Sequence, residues 1–98
     1  MKIVENGKFN KDKKKYIQSG NLPSDFLERF SEVMKCLING YKIPRRYQDH
    51  KMLGKYNNSR NCHIYPDIVL IYSKNEIEIH LKRLFSHSEF MNKSNPSK

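Results

Sequence analysis

The sequence contains no tryptophan and only four glycines, four prolines and two cysteines in 98 residues. It has no apolar run of about 18 residues and no apolar signal core, so we expect neither a transmembrane helix nor a secretory leader. Cys36 and Cys62 are far apart and form no C-x-x-C pair, which argues against a disulfide framework or a zinc ribbon. Glycine-rich phosphate loops and G-x-S-x-G motifs are also missing. These absences predict a soluble protein of the reducing cytoplasm.

The charge of the chain is strongly positive. Nineteen Lys and Arg against ten Asp and Glu leave a net charge of +9. A small domain with this charge is expected to have a polyanionic partner, either nucleic acid, an anionic membrane surface or an acidic protein. A basic protein without such a partner is the alternative, and the sign of the charge alone does not separate RNA from DNA.

The hydrophobic pattern predicts a strand, two helices and three further strands. The first strand is expected at residues 2–5, before the Asn6-Gly7 turn signal, and the first helix at 8–18. The second helix follows Pro23, with Ser24 as its N-cap and Gly40 as its C-cap. Its apolar residues have helical spacing: Phe26, Leu27, Phe30, Val33, Met34, Leu37 and Ile38.

Residues 41–59 form a polar stretch that we interpret as a long functional loop. Strands are predicted at 60–65, 67–73 and 76–85. The sequence therefore predicts an α+β fold, in which the helices cover one face of a mainly antiparallel sheet and leave the other face free. Residues 1–91 are expected to form one domain, and the polar residues 92–98 a disordered tail.

The four histidines are the first candidates for chemistry. His80 lies on the side of its strand opposite the apolar core residues and is interpreted as a solvated residue. Arg83 is charged, although strand alternation places it on the same side as the apolar residues Ile79 and Leu81. It suits a fork-like grip on phosphate, the alternative being that strand twist brings it to the rim.

The other three histidines occupy different positions. His63 and Asp67 flank Pro66, where a sharp turn can bring imidazole and carboxylate together. The carboxylate would orient the ring and raise its pKa, or the pair would only close the turn. His87 follows the last strand and can turn back toward Arg83, and His50 lies in the basic loop.

Three kinds of chemistry compete for these residues. Metal binding has enough ligands, but no pair has a metal-ligand spacing. A nucleophilic Cys62 would need a base that the sequence does not supply. A metal-free set of His, Asp and Arg beside basic residues suits cleavage of an RNA phosphodiester, because the 2′-OH is the nucleophile and the protein supplies base, acid and positive charge.

Several segments together resemble the YafQ branch of the RelE/ParE toxin superfamily. They are Y-Q-D-H (47–50), L-G (53–54), R-N-C-H-I-Y-P-D-I-V-L-I-Y (60–72), Arg83 and S-H-S-E-F (86–90). The resemblance covers residues 37–91, and the N-terminal third by element order. Three positions differ from the usual pattern: Ile68 replaces a Trp, Phe85 replaces a Gly, and the terminal aromatic Phe90 comes one residue early.

The resemblance implies a RelE-like fold and a ribosome-dependent endoribonuclease that cleaves mRNA in the decoding site without a metal or other cofactor. It places five residues in the active site, with His50 as base, His87 as acid and Arg83 bracing the phosphate: His50, His63, Asp67, Arg83 and His87. We expect contacts to mRNA and ribosomal RNA from Arg45, Arg46, Lys51, Lys55, Arg60, Phe85 and Phe90. A cognate antitoxin similar to DinJ or RelB is the expected protein partner.

Two other functions remain open on the sequence. The three differing positions are compatible with a catalytically weakened homologue that binds the ribosome or the antitoxin. The charge of +9 is also compatible with a DNA-binding regulator.

Overall fold

The computed structural model describes residues 1–54 and 58–86. Three of the predicted site residues, Lys55, His87 and Phe90, lie outside the described residues. The elements follow the predicted order, with additions in the loop: β1 (Lys2–Glu5), α1 (Gly7–Ser19), α2 (Phe26–Asn39), a 3₁₀ helix (Arg45–Tyr47), β2 (His50–Lys51), β3 (Arg60–Tyr65), β4 (Ile68–Lys74) and β5 (Glu78–Ser86).

The five strands form one sheet in the order β1-β5-β4-β3-β2. β1 runs parallel to β5, and the other neighbours are antiparallel. The α+β fold and the three-stranded antiparallel meander are confirmed. The sheet has one strand more than predicted, because His50 and Lys51 pair with Asn61 and Arg60. A strand of two residues is too short to produce a periodic pattern.

Both helices lie on one side of the sheet and end as predicted. Gly20 and Gly40 follow α1 and α2 with φ of 71°, the left-handed conformation that glycine adopts without a steric penalty. The predicted N-cap Ser24 is wrong, since α2 begins after Asp25. The Asp25 carboxylate instead accepts a hydrogen bond from the Tyr65 hydroxyl on β3, which lowers the pKa of Asp25.

The main core lies between the helices and this side of the sheet, which we call the helix face. Phe9 and Val33 from the helices are fully buried there, as are Leu70 and Leu81 from the strands. A second, smaller cluster on the opposite side consists of Met52, Ile71 and Phe85 and includes no residue of α1 or α2. Among the described residues, no helix combines the length and apolar character needed to cross a membrane.

The predicted alternation of β5 holds only as far as Leu81. Ile71 pairs with Arg83, but its neighbour Tyr72 pairs with Leu81, so Lys82 is an extra residue in a β-bulge. The bulge reverses the alternation, and Leu84 rather than Arg83 joins the helix-face core. The predicted phase of Arg83 is therefore wrong, because a bulge has no sequence period.

Candidate active site

The side of the sheet opposite the helices carries the candidate site, and we call it the polar face. Cross-strand pairing aligns His50, Asn61, Ile71 and Arg83 in one row across four strands. His63 lies in the next row, beside Val69. Three interstrand steps of about 4.8 Å separate the backbones of His50 and Arg83 by roughly 14 Å. Two histidines and an arginine thus share one surface.

His50 is held at both ring nitrogens. Its Nδ1 lies 2.7 Å from the Gln48 carbonyl oxygen, and its Nε2 lies 3.3 Å from Nδ2 of Asn61. Gln48 has a φ of 48°, an uncommon conformation for a residue with a side chain, which turns its carbonyl toward the ring. Because a carbonyl only accepts, Nδ1 carries a proton and donates it. In neutral His50, Nε2 is therefore the unprotonated nitrogen, and its lone pair faces Asn61.

His63 lies beside His50 on the neighbouring strand. The two rings are stacked with centroids 6.5 Å apart, and His63 is half-buried. Asp67 is exposed at the turn of the β3–β4 hairpin. It lies two positions before the residue of β4 that pairs with His63. The structure brings the two histidines together, and the proposed pairing of His63 with Asp67 stays a prediction.

Arg83 is anchored by a carboxylate from α1. Its Nε donates to Oδ2 of Asp12 over 2.8 Å, and its Nη2 donates to Oδ1 over 3.1 Å. The same carboxylate accepts the backbone N–H of Leu84, which lies beyond the last residue paired with β1. Both side chains are less than one fifth exposed. A part-buried bidentate pair of this kind fixes the orientation of the guanidinium.

Phe85 lies beneath Arg83 and is fully buried. The guanidinium carbon of Arg83 is 4.3 Å from the ring centroid, within the range of a cation–π contact. The sequence predicts an RNA contact for Phe85, but the structure buries its ring against Met52 and Ile71. Ile68, the position at which a Trp is usual, belongs to the helix-face core. Neither side chain presents a stacking surface on the polar face.

The predicted basic residues of the loop differ in their exposure and in their ion pairs. Arg45 and Lys51 are exposed. Arg46 pairs with Glu32 and lies over the Tyr47 ring, and so holds the 3₁₀ helix to α2. Arg60 pairs with Asp49 at 2.8 Å. These last two arginines therefore already neutralise carboxylates of the protein.

The structure also identifies residues that the sequence prediction missed. Lys82 donates to the Ser59 hydroxyl over 2.9 Å, and because this hydroxyl is neutral it does not cancel the charge of Lys82. Asp12 and Asn61 contact the predicted site residues Arg83 and His50. Strand alternation places Lys82 on the same side as His80, but the sequence did not indicate that it would lie next to Arg83, since the bulge brings Arg83 to the polar face.

Cys62 and the possible metal ligands are the remaining side chains with chemical reactivity. Cys62 is fully buried on the helix face, and burial raises the pKa of its thiol, so that it stays protonated. Within residues 1–54 and 58–86, no group of three or more His, Cys, Asp or Glu side chains has the arrangement of a metal site.

A cleft of about 670 Å³ lies away from the two histidines, beside the end of α2 and the 3₁₀ helix. Its walls include Tyr41, Ile43, Arg45 and Asp49. The Asp49 carboxylate also accepts the Tyr72 hydroxyl, so this ion-paired cluster separates the cleft from the polar face. The predicted active site is therefore a surface between strands rather than this cleft.

Known proteins resemble this chain over most of its length. Two relatives are a Haemophilus influenzae protein named as a YafQ toxin (37% identical over 65 residues, 62% of this chain and 64% of that protein) and the Escherichia coli mRNA interferase toxin YafQ (29% identical over 63 residues, 63% and 68%). The match thus spans slightly less than two thirds of the Haemophilus relative.

Solved structures extend the resemblance to nearly the whole chain. A copper-bound toxin from Helicobacter pylori is 35% identical with a TM-score of 0.79, over 91% of this chain and 97% of that one. YafQ in the Escherichia coli DinJ–YafQ complex is 27% identical with a TM-score of 0.73, over 89% and 93%. A family model described as the bacterial toxin of the type II toxin–antitoxin system, YafQ, matches residues 1–92. The chain therefore belongs to the YafQ family of type II toxins.

Proposed function

We propose that this protein is a ribosome-dependent endoribonuclease that cleaves mRNA in the decoding site and so inhibits translation. The Escherichia coli relative is named an mRNA interferase toxin, which supports ribonuclease activity at the level of the family. The observation that carries the proposal is the common surface of His50, His63 and Arg83 on the polar face. This surface combines groups for proton transfer with a cation for the phosphate.

The proposed reaction uses the ribose 2′-OH as nucleophile. Nε2 of His50 takes the 2′-OH proton, the 2′-oxygen bonds to phosphorus, and the bond from phosphorus to the 5′-oxygen breaks. His87 then protonates the leaving 5′-oxygen, which gives a 2′,3′-cyclic phosphate and a 5′-hydroxyl end. Arg83 stabilises the charge on the non-bridging oxygens, a task for which a guanidinium held in a fixed orientation is suited. His63 and Asp67 complete the proposed site.

Three basic side chains, two exposed and one half-buried, would bring the toxin to the ribosome. Arg45, Lys51 and Lys82 are candidates for contacts to ribosomal RNA, since they do not form ion pairs with the carboxylates described above. Phosphate contacts of this kind make binding strongly dependent on salt. The overall charge of +9 favours the same partner.

A cognate antitoxin is the proposed protein partner, by similarity to the Escherichia coli DinJ–YafQ complex. An antitoxin segment with acidic and apolar residues would complement the cations of the polar face and block it. The proposed place of action is the cytoplasm, where toxin, antitoxin and ribosomes meet.

The test is cleavage of a defined mRNA by the purified toxin, with and without programmed ribosomes, followed by mapping of the RNA ends. We expect cleavage within codons only when ribosomes are present. His50→Ala and His63→Ala should each lower the rate, His50→Ala by about 100-fold or more, the range for loss of a general base. His80→Ala is the matched control, because His80 pairs with Glu78 outside the proposed site and should leave the rate unchanged. Equal rates for His63→Ala and the parent would contradict the proposed site.

A catalytically weakened toxin homologue that binds the ribosome or the antitoxin is the second candidate function. It is favoured by the burial of Phe85 and Ile68, which leaves the polar face without these aromatic or bulky groups for stacking on a base. Tight ribosome binding by the parent protein without any mRNA cleavage would establish this alternative.

A further inference from the structure

The Asn61 side chain is buried beside His50, and only one of its two polar atoms has a hydrogen-bond partner among the described residues. Asn61 is 2% exposed, and its Nδ2 approaches His50 Nε2 at 3.3 Å. In the part of the chain that the structure describes, its Oδ1 is buried without a hydrogen-bond partner. A buried amide oxygen without a partner is costly, and such groups in folded proteins call for a reason.

The contacts of His50 show which nitrogen exchanges its proton. Nδ1 donates to the Gln48 carbonyl in both the neutral and the charged ring, because a carbonyl cannot donate. Protonation and deprotonation therefore occur at Nε2, the atom that faces the Asn61 amide. A neutral Nε2 needs a donor opposite it, and a protonated Nε2 needs an acceptor.

We propose that Asn61 is a positioning residue for His50 that serves both protonation states of the imidazole by turning its side-chain amide. In the neutral state, Nδ2–H of Asn61 donates to Nε2 across the 3.3 Å contact. In the charged state, a half-turn about χ2 brings Oδ1 to the same place, where it accepts the new Nε2–H. The two ends of an amide have nearly the same size, so both orientations fit one cavity. The unpartnered Oδ1 is the acceptor held for the second state.

The catalytic consequence rests on the proposed function of His50 as a base. The 2′-hydroxyl displaces the Asn61 N–H from the single lone pair of Nε2, and its O–H bond breaks as an N–H bond forms there. Once the 2′-oxygen has bonded to phosphorus, Oδ1 of Asn61 accepts the new Nε2–H in a hydrogen bond. The 3.3 Å contact is longer than the usual 2.9–3.0 Å for N–H hydrogen bonds, so the lone pair of Nε2 is only weakly engaged before the substrate arrives.

An aspartate at this position would favour the charged ring. A carboxylate only accepts, and the Gln48 carbonyl on the other side of the ring also only accepts. With Asp at position 61, only the imidazolium would satisfy both neighbours, and the ring would stay protonated. The other titratable or charged groups near His50 are His63 on β3, Lys51 on β2 and the Asp49–Arg60 pair, and these are the same in every variant.

The experiment is a pH titration of the histidine rings by ¹H–¹⁵N NMR on the full chain, in the parent protein, Asn61→Asp and Asn61→Leu. We expect the parent to show His50 as the Nδ1–H tautomer at high pH. Asn61→Asp should raise the titration midpoint of His50 by at least one pH unit. Asn61→Leu should lower it, because the imidazolium loses its acceptor and hydrogen bonds to charged groups are the stronger ones. Asn58→Asp, an equal change of charge at an exposed position nearby, is the control and should shift it by less than about 0.3 units.

The cleavage assay separates this inference from the proposed function. If the titration midpoint of His50 moves and the low-pH limb of the cleavage-rate profile moves with it, the inference and the proposed function are both supported. If the midpoint moves and the pH profile does not, Asn61 positions His50 but His50 is not the base. An Nε2–H tautomer in the parent, or an unchanged midpoint in Asn61→Asp, overturns the inference whatever the cleavage rate. The tautomer measurement needs only the parent, so it remains decisive if a variant does not fold.

Discussion

The two faces of the sheet are built from the same strands but have opposite character. On the helix face, side chains such as Leu70 and Leu84 are almost fully buried against α1 and α2. On the polar face, histidines, an asparagine and two cations surround the small cluster of Met52, Ile71 and Phe85. Because successive residues of a strand point to opposite sides, one face can hold the fold together while the other carries chemistry. Substitutions on the two faces should therefore affect different properties.

The largest effect on stability is expected from Leu70→Ala on the helix face. Leu70 is fully buried in β4, the strand between β3 and β5, and its truncation leaves a cavity that should cost about 2–5 kcal/mol. Urea denaturation followed by circular dichroism measures the change. His63→Ala on the polar face is the comparison and should cost less than about 1 kcal/mol. Similar losses for both variants would remove the distinction between the faces.

Asp12→Ala should have an intermediate effect, because Asp12 joins α1 to the polar face. The variant leaves Arg83 and the Leu84 N–H without their acceptor in a part-buried position, which should cost about 1–3 kcal/mol. Under the proposed function, the cleavage rate should fall as well, since the guanidinium loses its fixed orientation. Lys11→Ala on the exposed side of the same helix is the control, expected within about 0.5 kcal/mol of the parent. A stability of Asp12→Ala equal to that control would argue against the anchor.

Tyr47→Phe tests the hydrogen bond between the 3₁₀ helix and α2. The Tyr47 hydroxyl donates to Glu32, and its loss should cost about 1 kcal/mol at pH 7. This hydrogen bond lowers the pKa of Glu32 below its ordinary 4.5. Its contribution is therefore fully present above pH 4.5 and is lost as the pH falls through the lowered pKa of the folded state. Thermal melting at pH 7 and pH 3 should show the difference between variant and parent shrinking in acid, and a constant difference would contradict this account.

Lys82→Ala should have the smallest effect on stability, about 0.5–1 kcal/mol, because among the described residues it removes one hydrogen bond, the contact to Ser59. Under the proposed function, it should weaken ribosome binding and flatten its salt dependence by about one phosphate contact. Sedimentation with ribosomes over a series of salt concentrations measures both. Lys14→Ala removes the same charge from an exposed position of α1 and is the control. Identical salt slopes for the two variants would show that Lys82 is not a phosphate contact.

The sequence prediction was accurate where the pattern repeats over many residues. Helix α2 was predicted from its apolar spacing and from Gly40, and the structure confirms the helix and its left-handed C-cap. It failed at Ser24, where Asp25 is the N-cap and finds its hydrogen-bond partner on β3 instead of in the first turn. A cap that depends on a distant tyrosine leaves no local signal.

The candidate site was predictable in composition but not in arrangement. The residue types and the family resemblance indicated His50, His63 and Arg83, and the structure places them on one face. The neighbours that orient them were not indicated. Asp12 lies 71 positions before Arg83, and Asn61 lies 11 positions after His50. Such contacts depend on strand register and on the position of α1, which a single sequence does not encode as a pattern.

The sequence by itself determined the order of the elements, the apolar stripe of α2, the absence of a glycine-rich phosphate loop and the strong positive charge. These properties follow from local preference and composition, which act over a few residues. Only the tertiary structure decided that Arg83 faces away from the core, because a one-residue bulge reverses the alternation of β5. It likewise decided that Asn61 meets His50, because pairing of β2 with β3 joins residues that are distant along the chain. The type of chemistry can be inferred from the residues, and their geometry comes from the sheet.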